Sequence, residues 1–224
     1  MQKAKLKLPN FKEEQKLWQQ GYDFVVGLDE VGRGPLAGPV IACAFCFYKK
    51  QNAQAKLKTQ NSKLKNLENI KDSKKLSANQ RAKWFEFLTT HLDVKWGIGI
   101  VSEKTIDRIN ILEATKLAMK RALENLKIEA DYLLLDGNFL LDDLLINQKA
   151  MVRGDEKIWS CAAASIIAKV TRDRLMVKYH QKFPQYGFDS HKGYGTRQHF
   201  AAIQQHGPCA IHRLSFAPFN LNKQ

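Results

Sequence analysis

Two adjacent carboxylates, Asp29 and Glu30, close an apolar run, Phe24-Val25-Val26-Gly27-Leu28, and the turn Gly32-Arg33-Gly34 follows at once. Hard divalent cations prefer oxygen ligands, so an acid pair at a strand end is a natural start for a metal site. A Gly-Arg-Gly turn exposes backbone N–H groups and a guanidinium, both suited to phosphate. Metal ligands beside a phosphate-binding turn point to chemistry on a phosphodiester. Taken alone, an Asp-Glu pair is more often a solvated loop pair, and glycines often do no more than permit a tight turn.

Two further acids shift that balance. Asp136 ends the apolar run Leu133-Leu134-Leu135 and precedes Gly137-Asn138. Ligands gather beyond the carboxyl ends of strands, where chain connections leave a crevice. Asp155 follows Gly154 just ahead of an alanine-rich helix, where the helix dipole favours a carboxylate by roughly 0.3–1 kcal/mol. Singly, these two acids read as a turn cap and an N-cap. Four converging carboxylates without counter-charge would force at least one to keep its proton. Divalent cations remove that cost, and two of them about 3.5–4 Å apart are a standard device for phosphodiester hydrolysis.

The elements that must position these acids follow from the pattern of apolar residues. Strands are expected over 23–29, 38–48, 94–101, 131–136 and 149–152. Ser77 and Gln80 have capping-box spacing and open a helix through Trp84, Phe85 and Leu88. Asn110 and Glu113 repeat that spacing ahead of an amphipathic helix carrying Leu112, Met119, Leu123 and Leu126. A small-apolar helix is expected from Glu156 to Met176, and the Gly- and Pro-punctuated tail from Phe183 to Phe219 reads as loops and short helices. The stretch 49–71, rich in Lys, Gln and Asn, reads as a mobile basic excursion with at most a helical turn at 64–67. The order suits an α/β fold whose mixed sheet starts antiparallel and ends parallel, flanked by helices. One domain is expected: a basic extension over 1–20, a catalytic unit over 21–182, and a loop and helix region over 183–224 packed on it.

The 224 residues carry a formal net charge of +14, which favours polyanionic partners, and nucleic acid above the rest. No run is long and apolar enough for a membrane span, and no apolar core follows the basic Met1–Leu8, so a cytoplasmic location is expected; a monomer is expected as well. The four cysteines do not read as a metal site. Cys43 and Cys46 are three apart in a strand, so their thiols diverge, and small buried hydrophobes is the better description.

Nearly the whole chain, from about Gly27 to Phe219, resembles the bacterial ribonuclease HII family, type 2 ribonuclease H. The resemblance rests on Asp29-Glu30-Val31-Gly32-Arg33-Gly34, Asp72-Ser73-Lys74-Lys75-Leu76-Ser77, Ile106-Asp107 with Asn110-Ile111-Leu112, Asp136-Gly137-Asn138 and Gly154-Asp155. It continues in Ala162-Ala163-Ala164-Ser165-Ile166, Lys169-Val170-Thr171-Arg172-Asp173, and Phe183-Pro184-Gln185-Tyr186-Gly187-Phe188 leading to His191-Lys192-Gly193-Tyr194. It implies a ribonuclease H-like five-stranded mixed sheet with a helical C-terminal region. It also implies an endonuclease acting on RNA–DNA hybrids and on single ribonucleotides in duplex DNA, with 3′-hydroxyl and 5′-phosphate products. Asp29, Glu30, Asp136 and Asp155 would hold two Mg²⁺ or Mn²⁺ ions, Gly32, Arg33 and Gly34 would sense the 2′-hydroxyl, and Tyr194 would stack on the following sugar. A 2′-hydroxyl both donates and accepts, which makes it the handle that separates RNA from DNA.

Other residues keep two readings. Lys74 or Lys75 meets a substrate phosphate or is plain surface charge; Arg172-Asp173 is functional or an exposed helix pair; Arg213 contacts phosphate or fastens the tail. His191, His206 and His212 read as loop or core histidines. Where the family has proline after its motif tyrosine, this chain has Gly195, and no clamp-binding peptide is evident. The alternatives are ribonuclease HIII, which carries a long N-terminal substrate-binding domain where 28 residues precede Asp29 here, a non-catalytic nucleic-acid clamp, and another nuclease on the same fold.

Overall fold

In a computed structural model that describes residues 8–47, 70–91 and 93–219, the β-prone runs form β1 (Val25–Val31), β2 (Val40–Phe47), β3 (Val94–Val101), β4 (Tyr132–Asp136) and β5 (Asn147–Met151). They pair into one sheet ordered β3-β2-β1-β4-β5. Short connections make β1/β2 antiparallel, and β2/β3 pair the same way. The helical crossover after β3 makes β4 parallel to β1, and β5 runs parallel to β4. The mixed topology expected from the sequence is therefore present.

The helices are α1 (Lys12–Gln19), α2 (Ala78–Thr90), α3 (Glu103–Leu126), α4 (Trp159–Lys182), α5 (Phe188–His191) and α6 (Arg197–His206). Alternation along the strands divides the core in two. Val26 and Leu28 of β1, Ala42 and Ala44 of β2 and Leu133 and Leu135 of β4 pack with Ala114, Ala118 and Met119 of α3. On the other face Cys43 and Phe45 pack with Trp159, Ala162, Ala163 and Ile166 of α4. Cys43 and Cys46 fall into these separate clusters, as diverging thiols must. The α3 backbone approaches β3 so closely that a Cβ on Gly99 would lie 1.9 Å from the Ala118 carbonyl oxygen; only glycine fits there.

The capping box of Ser77 and Gln80 is formed on both sides. Replacing Ser77 with Ala should lower stability by about 1 kcal/mol, read from denaturant unfolding. Asn110 caps as expected, its Oδ1 accepting from the N–H groups of Leu112 and Glu113. An additional turn capped by Ser102 precedes it, and the two join through the non-helical Asn110 at φ 67°.

Two expectations need correction, and a third stretch gains structure the sequence reading does not address. The alanine-rich helix starts at Trp159 with Ile158 as its cap, so Asp155 is not an N-cap; it lies in a separate 3₁₀ turn, Gly154–Glu156. Arg172 is not an exposed helix residue but 0% exposed, because its guanidinium satisfies inward-facing carbonyls. Residues 12–19, within the stretch read as a basic extension, form a helix whose Leu17 is buried and whose Glu14 Oε1 accepts from the Ser160 N–H at 2.8 Å. The basic excursion and its helical turn lie outside the described residues, save Ile70, which is buried, and Lys71. Among the described residues no helix is long and apolar enough to cross a membrane.

Candidate active site

Parallel pairing of β1 with β4 sets Leu28 opposite Leu135, so Asp29 and Asp136 leave the carboxyl ends of neighbouring strands together. Beyond β5 the Gly154 N–H donates to Asp136 Oδ1 at 2.7 Å, which draws the 3₁₀ turn over the strand ends and delivers Asp155. One carboxylate oxygen from each of Asp29, Asp136 and Asp155 lies within 4.8 Å of the others. Glu30 stands outside that group. Strand alternation turns its side chain away from that of Asp29; Oε1 lies 3.5 Å from Arg33 Nη1, and Oε2 is buried with no hydrogen-bond partner among the described residues.

Such crowding perturbs the acids. Burial pushes Asp29 well above the usual carboxylate range; Glu30 and Asp136 add to this, and a Ser165 hydrogen bond opposes it. Burial carries Glu30 up to about 7 against the pull of Arg33, with Asp136 raising it further. Asp155 is raised by burial and by Asp136, while Lys74 works the other way. Lys74 Nζ sits 3.2 Å from Asp155 Oδ2. Burial works to lower the ammonium's pKa, but the Asp155 charge outweighs it and holds Lys74 above the ordinary lysine range. An oxygen-only donor set, mutually repelling and backed by the orphaned Glu30 Oε2, fits a hard divalent cation. Lys74 is thus part of the acid cluster, a placement its position before a helix could not reveal.

The glycine-rich turn adjoins this cluster. Gly32 has φ 95°, and a Cβ there would lie 2.3 Å from Arg172 Nε and 2.9 Å from the Pro39 carbonyl oxygen, so this position requires glycine. Arg172 donates to the carbonyls of Ala37, Pro39 and Lys192, and Arg213 to those of Gly32, Arg33 and Gly38. Of the two readings of Arg213, the structure shows the fastening one. The Leu36 N–H donates to the Gly193 carbonyl at 2.8 Å, and a Cβ on Gly34 would be 3.9 Å from Tyr194 Cε1. The 2′-hydroxyl-sensing candidates and Tyr194 are therefore neighbours, and Tyr194 is 42% exposed.

Histidines hold Tyr194 from behind. His212 Nδ1 accepts from the Cys209 N–H, which leaves its Nε2 to donate to His199 Nε2 at 3.0 Å; His199 Nδ1 then donates to the Tyr194 carbonyl. Proper side-chain acceptors in this chain require neutral imidazoles. Burial, with the neighbouring histidine, pulls both His199 and His212 down to about 4. Their unfolded pKa is about 6.5, so between those values the unfolded chain binds more protons and stability falls as pH falls. Relative to a His212→Asn variant, the wild type should lose on the order of 1 kcal/mol between pH 6.5 and 4. Thermal unfolding across that range checks this, and parallel curves would refute it. The variant comparison removes the opposite contribution of the raised carboxylates.

Arg172, as an anchor of this loop, and His199 went unrecognised in the sequence. Their partners are backbone carbonyls and a residue 13 positions away, and neither leaves a spacing signal.

Comparison with known proteins gives concordant matches. A family model described as ribonuclease HII matches residues 26–219. The ribonuclease HII of Caldicellulosiruptor bescii is 46% identical over 206 residues, 92% of each chain. The crystal structure of ribonuclease H2 from Pyrococcus horikoshii is similar with a TM-score of 0.68 and 28% identity, covering 88% of this chain and 95% of that one. Bst-RNase HIII in complex with Mn²⁺ shares the fold with a TM-score of 0.64 at 19% identity, over 91% of this chain and 70% of that one.

Proposed function

The chain belongs to the ribonuclease HII family, and from that membership we propose that it cuts the RNA strand of RNA–DNA hybrids and nicks duplex DNA on the 5′ side of a single embedded ribonucleotide. The family assignment makes it an endoribonuclease, a phosphodiester hydrolase. The products of the proposed reaction carry 3′-hydroxyl and 5′-phosphate ends. The observation that carries the reading is the Asp29–Asp136–Asp155 cluster beside a Gly32–Gly34 turn that has Tyr194 as its neighbour.

Asp29, Asp136 and Asp155, with Glu30 near enough to raise Asp29, would hold two divalent cations, Mg²⁺ or the Mn²⁺ that Bst-RNase HIII binds. Bound there, such cations acidify a water and neutralise charge developing on the phosphate oxygens. The protein's own part is orientation. The Gly32–Gly34 turn offers N–H groups to the ribose, Tyr194 presents a flat apolar face to the next sugar, and Lys74 sits at the rim of the acid cluster within reach of a phosphate. We propose residues 21–182 as the catalytic unit of a monomer and 183–224 as its C-terminal region, of which Tyr186, Phe188 and Ile211 pack with Ala37 and Met176.

Matched duplexes with zero, one and four ribonucleotides, each with Mg²⁺, with Mn²⁺ and with a chelator, test the reading. Cleavage should require both a ribonucleotide and a cation. Efficient cutting of the all-DNA duplex would assign the site to a different nuclease on this fold, and binding without any cutting to a clamp.

A further inference from the structure

Arg213 is 0% exposed and has no carboxylate within ion-pair distance among the described residues. Burying an unpaired guanidinium is costly, so its partners define what it is there for. Nη2 donates to the Gly32 carbonyl at 2.6 Å and the Gly38 carbonyl at 2.8 Å; Nη1 donates to the Arg33 carbonyl and Nε to Gly38, each at 2.9 Å. The fork thus grips both ends of the glycine-rich turn at once, a geometry that a lysine ammonium cannot match.

The two carbonyls nearest the acids matter most. The Gly32 carbonyl shares its peptide with the Arg33 N–H, and the Arg33 carbonyl shares its peptide with the Gly34 N–H. Both peptides are trans, and in a planar trans peptide the C=O and N–H bonds point in opposite directions. With both oxygens turned inward onto the guanidinium, both N–H groups face away from the interior. Neither donates to an acceptor among the described residues, and Gly34 is exposed beside Tyr194. A positive charge on the carbonyl side also polarises each peptide, which strengthens its N–H as a donor.

We propose that Arg213 is the positioning residue for ribose discrimination: it turns the Gly32 and Arg33 peptides so that the Arg33 and Gly34 N–H groups project as a preorganised pair of donors toward the substrate 2′-hydroxyl. This rests on the ribose-sensing role of the turn proposed above. Arg172 braces the far half of the same loop through Ala37 and Pro39 but touches neither of these two carbonyls.

The test measures kcat and KM on a duplex with one ribonucleotide, and the inhibition constant of the matching all-DNA duplex, for wild type, Arg213→Lys and Arg213→Met. The expected result is a KM raised about tenfold, the equivalent of one charge-assisted hydrogen bond, with the inhibition constant of the DNA duplex unchanged and kcat within about twofold. A lowered melting temperature or lowered kcat with KM unchanged would overturn the proposal and leave Arg213 a structural fastening. A wild type that binds both duplexes equally would instead sink the ribose-sensing reading, and this inference with it. Should Met fail to fold, Lys decides. Amide spectra of the wild type decide independently of any variant: the Arg33 and Gly34 N–H signals should move downfield with the ribonucleotide duplex and not with the DNA duplex, and equal movement with both refutes the proposal.

Discussion

Asp29→Asn and Asp136→Asn will each slow cleavage of a one-ribonucleotide duplex by about a thousandfold or more, while affinity for that duplex stays within a few fold. Amide oxygens keep the size and shape of the carboxylates but carry no charge, so the donor set for a hard cation loses its grip. Duplex binding draws on the net charge of +14 spread over the chain and on phosphate contacts, which these substitutions leave in place. Steady-state cleavage and a fluorescence binding assay on the same substrate separate the two. Loss of binding in parallel with cleavage would mean that the acids support the fold instead of the chemistry.

Unfolding, measured without turnover, also reports on the Asp29 charge. Burial and the nearby Glu30 and Asp136 raise Asp29 in the folded state. A raised carboxylate contributes stability that is complete below its unfolded value of about 3.9 and is lost as pH climbs through the folded value. Wild type in chelator should therefore be less stable at pH 7.5 than Asp29→Asn, and the difference should close toward pH 4. Added Mg²⁺ or Mn²⁺ should raise the melting temperature of wild type more than that of the variant, because only the wild type retains the charge that the cation neutralises.

Much of this arrangement was legible in the chain because strands and acids share one grammar. Each of Asp29 and Asp136 follows an apolar run, and the parallel pairing of β1 with β4 brings those run ends together. Asp155 was legible by type and neighbour, but its structural context was not. A glycine before it and a helix after it suggested a cap, whereas the Gly154 N–H bond to Asp136 makes a separate turn. By type and position the sequence offers Glu30 as a fourth ligand beside Asp29, Asp136 and Asp155. Period-two alternation alone argues that adjacent strand residues diverge, and in the structure Glu30 does lie outside the three-acid group. The buried arginines show the other limit. A guanidinium that binds backbone carbonyls needs no complementary residue type, so nothing in the composition or spacing near Arg172 or Arg213 marks its partner.

Tyr194→Ala should lower kcat/KM on a one-ribonucleotide duplex by about a hundredfold, near the upper end of what one aromatic stack on a nucleotide contributes, whereas Tyr194→Phe should stay near wild type. Tyr194 is 42% exposed and beside Gly34, while its backbone is fixed separately: its N–H donates to the His191 carbonyl and its own carbonyl accepts from Thr196 and from His199. Removing the ring therefore takes away a contact face without releasing the loop, and unfolding free energy should change by less than about 0.5 kcal/mol. Gly195 sharpens the expectation. Glycine after the tyrosine would by itself leave the loop free, and the Phe200 ring lies 3.0 Å and Leu36 3.3 Å from where a Cβ on Gly195 would sit. The backbone bonds at Tyr194, and not packing on Gly195, restrain this loop. If Tyr194→Ala and wild type cleave alike while Phe200→Ala slows the reaction, the sugar contact belongs to Phe200, and the role given to the tyrosine is wrong.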